Sequence, residues 1–137
     1  MLRKDYFVRQ LEEFGKVLGT LLFLKREKDW EKFEQEIANA AQRFTAIELN
    51  YVEQLPEDDF IKDVIEKNQL NLEQKHILAG ILFEQMDFYA KTEQHENYIS
   101  CAKKCLLLYK FLKANQTQNE FNLETHYRLE FLKGLGL

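Results

Sequence analysis

Turn-forming residues are scarce in this chain, which has 5 glycines and 1 proline among its 137 residues. An all-β sandwich or barrel needs a turn about every 8–12 residues, so the scarcity argues against both folds. The glycines form neither the GxGxxG nor the GxxxxGK arrangement that holds phosphate groups. Serine occurs once, at Ser100, and it lacks the glycine-rich elbow of a serine hydrolase. These absences argue against phosphate-loop proteins and serine hydrolases.

Cationic residues and long apolar runs are limited as well. The chain has 19 lysines and arginines against 23 aspartates and glutamates, a formal net charge of −4, so nucleic-acid binding through bulk charge is not expected. The longest apolar run near the N-terminus, residues 17–24, is too short to span a bilayer. No unbroken apolar segment follows the basic start, as a signal peptide requires, and 2 cysteines are too few for a disulfide framework. We therefore expect a cytoplasmic protein with no nucleic-acid or membrane partner.

Helical periodicity is the dominant pattern in the sequence. Apolar residues recur at three- and four-residue steps, which places them on one side of a helix. No segment alternates apolar and polar residues as a half-buried strand does. The predicted fold class is all-α, with about six helices in a single domain over 1–137. Its parts are a hairpin over 4–49, an inserted helix over 56–67, a second hairpin over 71–113 and a C-terminal helix over 118–134.

Local signals set the boundaries of the predicted helices. Pro56 suits the first position of the inserted helix, because its fixed φ is helical and its missing N–H has no partner there. Asn71 and Gln74 have the spacing of a capping box, which predicts the start of the second hairpin. Thr117 and Glu120 repeat that spacing and predict the start of the C-terminal helix.

The two hairpins match each other at an offset of 65 residues. In that register Val17 aligns with Leu82 and Ile37 aligns with Ala102, so that apolar positions coincide. Two amphipathic helices agree easily by chance, and the short polar turn shared by both hairpins strengthens the match. The sequence therefore predicts an internal repeat of one helical hairpin.

The stretch LxxLxxxKDW followed by EKFEQEIANA has a tight polar turn and then an aspartate, an aromatic and an acidic residue. This pattern resembles the tetratricopeptide (TPR) repeat. The chain as a whole is similar to a group of short bacterial TPR-like proteins of uncharacterised function, through RKDYxxRxLEEFGKVL, KxxKDWE and LPEDD. The resemblance implies a right-handed array of antiparallel helical hairpins and no reaction. The sequence departs from the family in its 65-residue spacing, where about 34 is usual, and in Leu21 and Met86, which stand where the family has small residues.

The candidates for chemistry are few. His76 has Glu73 three residues before it, but a di-iron bundle needs two such pairs and two further glutamates. Cys101 and Cys105 lie one helical turn apart, without a second ligand pair at zinc spacing. We therefore predict no catalytic residue, no metal site and no cofactor. The alternative is a helical-bundle protein that binds a small molecule or a metal, conceivably an enzyme, with His76, Glu73 and another carboxylate pointing inward.

Apolar side chains exceed what the predicted hairpins need. In TPR modules the concave surface comes from the first helix of each hairpin, and the resemblance implies a site at Leu18, Leu22, Lys25, Phe83, Asp87 and Ala90. We expect Leu22 and Phe83 to offer apolar pockets to an extended peptide, and Lys25 or Asp87 to contact its charges. The predicted function is non-enzymatic protein–protein interaction or self-association, with an unknown protein or peptide or a second copy as partner. A single crowded core without an exposed patch is the competing interpretation.

Overall fold

The computed structural model describes residues 2–67, 69–116 and 122–137. No strand occurs in these ranges, so the all-helical prediction is confirmed for them. None of their helices is long and apolar enough to cross a membrane. The helices are α1 (Leu2–Arg26), α2 (Trp30–Thr45), α3 (Leu49–Gln54), α4 (Glu57–Phe60, continued by a π-helical turn over Ile61–Glu66), α5 (Leu72–Lys91), α6 (His95–Ala114) and α7 (Leu123–Lys133).

Side-chain caps explain where several helices begin. The Asn71 carboxamide oxygen accepts from the Gln74 N–H at 2.8 Å, and the Gln74 side chain accepts from the Asn71 N–H at 3.0 Å. This reciprocal pair is the predicted capping box, and it satisfies two N–H groups at the start of α5. Asn122 caps α7 by accepting from the Thr125 N–H at 3.1 Å. The capping box predicted for Thr117 lies outside the described residues.

The second helix ends earlier than predicted. It stops at Thr45, four residues before the predicted bound at 49, and a separate short helix, α3, begins at Leu49. The Thr45 hydroxyl donates to the Ala41 carbonyl at 2.6 Å and accepts from the Ile47 N–H at 3.2 Å. These bonds compete with continued helical pairing, and Ala46 turns the chain in the left-handed region, at φ 57°. Apolar periodicity carries through this break, which is why the sequence pattern missed it.

The helices pack in the order of the chain. α1 contacts α2, α2 contacts α5, α5 contacts α6 and α6 contacts α7, while α1 also lies against α5. α5 is the most enclosed, with twelve of its residues buried. Aromatic rings fill the junction of α2 and α5, where the Phe33 and Phe88 rings stack with centroids 5.1 Å apart. Residues of α1, α5 and α7 line one shared groove.

The two helical turns have the same backbone geometry. Each turn holds one residue at φ 59°, Lys28 in the first hairpin and Glu93 in the second. Four backbone hydrogen bonds of the first turn recur in the second turn at the offset of 65 residues. In the first turn they run from Glu27 N to Phe23 O, Lys28 N to Lys25 O, Asp29 N to Leu24 O and Phe33 N to Asp29 O. In the second turn they run, in the same order, from Thr92 N to Phe88 O, Glu93 N to Ala90 O, Gln94 N to Tyr89 O and Tyr98 N to Gln94 O. The repeat register read from the sequence is therefore also present in the backbone.

Candidate functional site

An open groove lies at the end of α1, beside the first turn and the end of α5. Its volume is about 750 Å³, and we call it the basic groove. The side chains that line it are Leu22, Lys25, Arg26, Lys28, Trp30 and Lys91. Four of these six residues are cationic, in a chain whose net charge is −4. Two of the predicted site residues, Leu22 and Lys25, are therefore part of one concave feature.

Two residues that line the basic groove, Lys25 and Lys91, belong to an ion-pair network between α1 and α5. Lys25 donates from Nζ to Glu84 Oε1 at 2.5 Å and to Asp87 Oδ2 at 2.7 Å. Lys91 donates to the same Asp87 oxygen at 2.9 Å. The side chains of Lys25 and Glu84 are each only 7% exposed, whereas that of Asp87 is 34% exposed. The predicted pair of charge-reading residues thus forms an internal salt bridge, which fixes the Lys25 ammonium in place.

The network shifts the pKa values of its members. Burial alone would favour the neutral amine of Lys25, but its hydrogen bonds to Asp87 and Glu84 outweigh burial and raise its pKa. Burial likewise opposes ionisation of Asp87, and the hydrogen bonds from Lys25 and Lys91 reverse that effect and lower its pKa. Lys25 is therefore cationic and Asp87 anionic at neutral pH.

The basic groove is lined by both apolar and cationic side chains. Leu22 is 53% exposed. Trp30 is half-buried and packs its ring against Phe88, with centroids 5.6 Å apart. Arg26 and Lys28 are exposed beside them. Such a rim can contact an apolar side chain and anionic groups of one ligand at the same time.

The remaining predicted site residues lie elsewhere. Leu18 lines a second groove of about 460 Å³ among α1, α5 and α7, together with His76 and Arg128. Ala90 is exposed at the second turn, in a depression of about 370 Å³ that it shares with Glu93 and His95. The structure therefore does not bring all six predicted residues into one site.

Phe83 is covered by α7. Its ring contacts the Phe131 ring at a centroid distance of 5.8 Å, and the Arg128 guanidinium lies 4.8 Å from its centroid. Arg128 also donates to the Tyr109 hydroxyl at 2.8 Å, which holds it over the ring. The structure thus closes the apolar pocket that was expected at Phe83 and leaves Leu22 as the exposed member of the expected pair.

The sequence analysis missed three buried charges outside the predicted site, those of Lys75, Glu84 and Lys104. Glu84 lies in the apolar run of α5. Its position inside that run was the sequence signal that could have indicated a buried charge. Lys104 is 2% exposed, and its Nζ donates to the Glu53 carbonyl at 2.5 Å. Burial lowers the pKa of Lys104. Lys104 is buried because its long side chain reaches the backbone of α3 and is covered there.

The groups considered for metal or thiol chemistry are not arranged for it in the described ranges. Glu73, His76 and Glu124 line the second groove, yet no group of three or more His, Cys, Asp or Glu side chains in the described part of the chain is placed to hold a metal ion. Cys101 and Cys105 are buried, and burial raises the pKa of both thiols. Neither thiol is activated as a nucleophile.

Comparison with known proteins adds no relative. No family model, no curated protein and no solved structure matches this chain. The case for the basic groove therefore rests on the geometry of the groove and on the repeat inside the chain itself.

Proposed function

We propose that the protein is a non-enzymatic, TPR-like interaction module that binds a partner protein or peptide through the face formed by α1 and α5. The observation that carries the proposal is the basic groove, an open concavity where exposed Leu22 and half-buried Trp30 lie beside the exposed cations Arg26 and Lys28. An interaction site combines apolar contact area with a few placed polar groups, and both are present here.

The packing order supports the TPR-like part of the proposal. In a TPR array each helix packs on its neighbours in sequence, and the first helices of successive hairpins line one face. α1 and α5 take the place of such first helices, and the repeated turn geometry supports one hairpin used twice. The inserted segment from α3 to α4 explains the long spacing between the repeats.

Two free, buried cysteines support a reducing compartment. We therefore propose a cytoplasmic location, in a bacterial cell as the resemblance implies. A second copy of the chain is the alternative occupant of the same face. Large apolar side chains are exposed along α1 at Val8, Leu11, Leu22 and Phe23, and such a stripe is typical of self-association as well as of partner binding.

Site-specific photo-crosslinking tests the proposal. A photoreactive amino acid is placed at the position of Leu22, and the matched control carries it at the position of Asn39, which is exposed on α2. Crosslinking in the source cells should give one discrete adduct from position 22 and none from position 39. Equal adducts from both positions, or none from position 22, would contradict the proposed face.

Sedimentation of the purified protein separates the two occupants. If the adduct at position 22 is a second copy, the wild type sediments as a dimer and Leu22→Asp shifts it to a monomer. If the adduct is a different protein, the wild type and Leu22→Asp both sediment as monomers.

A further inference from the structure

We infer that a narrow polar cleft between α3 and α6 binds one water molecule, which hydrogen-bonds to the Glu53 carboxylate and to the Lys104 amino group. This site lies away from the basic groove, and the inference does not depend on the proposed function. It rests on the size of the cleft, on a buried carboxylate oxygen without a protein partner and on the opposite charges of the cleft walls.

The cleft has the size of a hydration site. Its volume is about 30 Å³, and five of the residues that line it are polar: Glu53, Tyr89, Asn97, Ser100 and Lys104. A cavity needs about 10–15 Å³ to hold one water molecule, which in turn needs about two to four polar partners. Sites for small organic ligands are far larger, about 300–1,000 Å³. Asn97 and Ser100 are exposed on α6, so bulk water can reach the cleft.

Two polar groups of the cleft walls are incompletely paired by the protein. Glu53 Oε1 is buried and has no hydrogen-bond partner among the described residues, whereas Glu53 Oε2 accepts from the Tyr89 hydroxyl at 2.6 Å. An ammonium has three N–H donors, and the described residues supply the Lys104 ammonium with one acceptor, the Glu53 carbonyl. Leaving a buried acceptor unpaired costs more than ordering one bridging water. A water molecule that donates to Glu53 and accepts from Lys104 satisfies both groups.

The first hairpin shows that the cleft is a product of the inserted segment. At the offset of 65 residues, Lys104 corresponds to Asn39, which is exposed on α2. Lys104 is buried instead, because α3 lies over it and its Nζ reaches the Glu53 carbonyl. A lysine loses its hydration shell on burial, and protein groups or bound water must replace that shell. The inferred water is therefore part of the contact that holds α3 against α6.

The charges of the walls favour a neutral occupant over an ion. An ion in the cleft would be attracted by one of Glu53 and Lys104 and repelled by the other. The walls would then not compensate for the hydration that the ion loses on entering. Water has no net charge, and it donates and accepts hydrogen bonds at the same time. It is thus the ligand that matches both walls.

A high-resolution crystal structure of the wild-type protein, grown without chloride or ammonium salts, tests the inference directly. We expect one ordered water in the cleft, about 2.5–3.0 Å from Glu53 Oε1 and about 2.7–3.2 Å from Lys104 Nζ. Its B-factor should be close to those of the side chains around it. A cleft without ordered density, density for an ion, or a Glu53 Oε1 that accepts from a protein donor would overturn the inference.

Crystal structures of Glu53 variants test which group holds the water. Glu53→Gln keeps an oxygen that accepts hydrogen bonds, so the water density should remain. Glu53→Leu removes the acceptor from the wall, and the density should be lost. Glu34→Leu is the matched control, because it removes an exposed carboxylate on α2 and should leave the water in place. Water retained in Glu53→Leu, or lost in Glu53→Gln, would refute the assignment to the Glu53 oxygen.

Lys104→Met tests the opposite wall and keeps the inference falsifiable if Glu53→Leu does not fold. It preserves most of the side-chain length but removes the donor, so the water density should again be lost. Water that stays in place in Lys104→Met would contradict the assigned bond to Lys104.

Discussion

Removing the Lys25 ammonium should destabilise the fold more than any exposed charge substitution. Lys25→Met keeps the length of the side chain and leaves Glu84 buried without its cation. The two side chains are each 7% exposed, so solvent screens the lost interaction little. Breaking a buried pair from one side costs about 3–5 kcal/mol. Losing the Lys25–Asp87 ion pair adds a smaller cost, about 0.2–1 kcal/mol, because the Asp87 side chain is 34% exposed and still pairs with Lys91. Since small domains unfold with about 5–15 kcal/mol, this loss is a large fraction of the total.

A double-mutant cycle measured by urea unfolding, followed by far-UV circular dichroism, tests this reasoning. Glu84→Met alone should cost less than Lys25→Met, because Lys25 keeps Asp87 as a partner. The double variant replaces the pair with apolar side chains and should recover to within about 1–2 kcal/mol of the wild type. Lys16→Met is the control, since Lys16 pairs with Glu13 at 3.7 Å on the surface, and it should change stability by less than about 0.5 kcal/mol. A cost below about 1 kcal/mol for Lys25→Met, or single losses that simply add, would refute the buried-pair argument.

Three further predictions concern stability. The lowered pKa of Asp87 means that its contribution is present above the ordinary aspartate pKa of about 3.9 and is lost as the pH falls through the folded value. As the pH is lowered, the unfolding free energy measured in urea should therefore fall less for Asp87→Asn than for the wild type. An equal fall in the two proteins would contradict the assignment. Ala46→Gly should raise the unfolding free energy by about 1 kcal/mol in the same assay, because φ 57° disfavours alanine, and a loss would count against this. Gly80→Ala places a Cβ 3.1 Å from the Phe14 ring, whereas Gly19→Ala meets nothing within 4 Å, so Gly80→Ala should be about 1–3 kcal/mol less stable than Gly19→Ala; equal stabilities would show that Phe14 moves freely.

The sequence was sufficient for the parts of the fold that depend on periodicity and caps. The apolar spacing predicted helices throughout, and Asn71 with Gln74 located the start of α5 to the residue. The break after Thr45 was not predictable in this way, because it depends on which acceptor the hydroxyl finds. In the structure that acceptor is the Ala41 carbonyl, and a rotamer choice of this kind leaves no mark in an apolar pattern.

The candidate site was predictable only in part, because side-chain pairing across helices is a tertiary property. Leu22 and Lys25, which the resemblance implied as site residues, both line the basic groove. The burial of Lys25 depends on Glu84, which lies 59 residues away in sequence. Phe83 is likewise closed by Phe131, whose approach depends on where α7 docks. Local sequence holds no information about either contact.

The two repeats separate what the fold requires from what is particular to one site. Where both repeats have the same feature, as in the turn hydrogen bonds and the left-handed residue at φ 59°, the feature serves the hairpin. Where they differ while the backbone stays the same, the difference needs another explanation. Lys28 and Glu93 differ by two units of charge on identical backbone, and Trp30 and His95 differ in ring size at the same place. Packing explains the large ring of Trp30, since its centroid lies 5.6 Å from that of Phe88. The exposed Lys28 is different, because the second repeat forms the same turn with Glu93, so Lys28→Glu should change the unfolding free energy by less than about 0.5 kcal/mol.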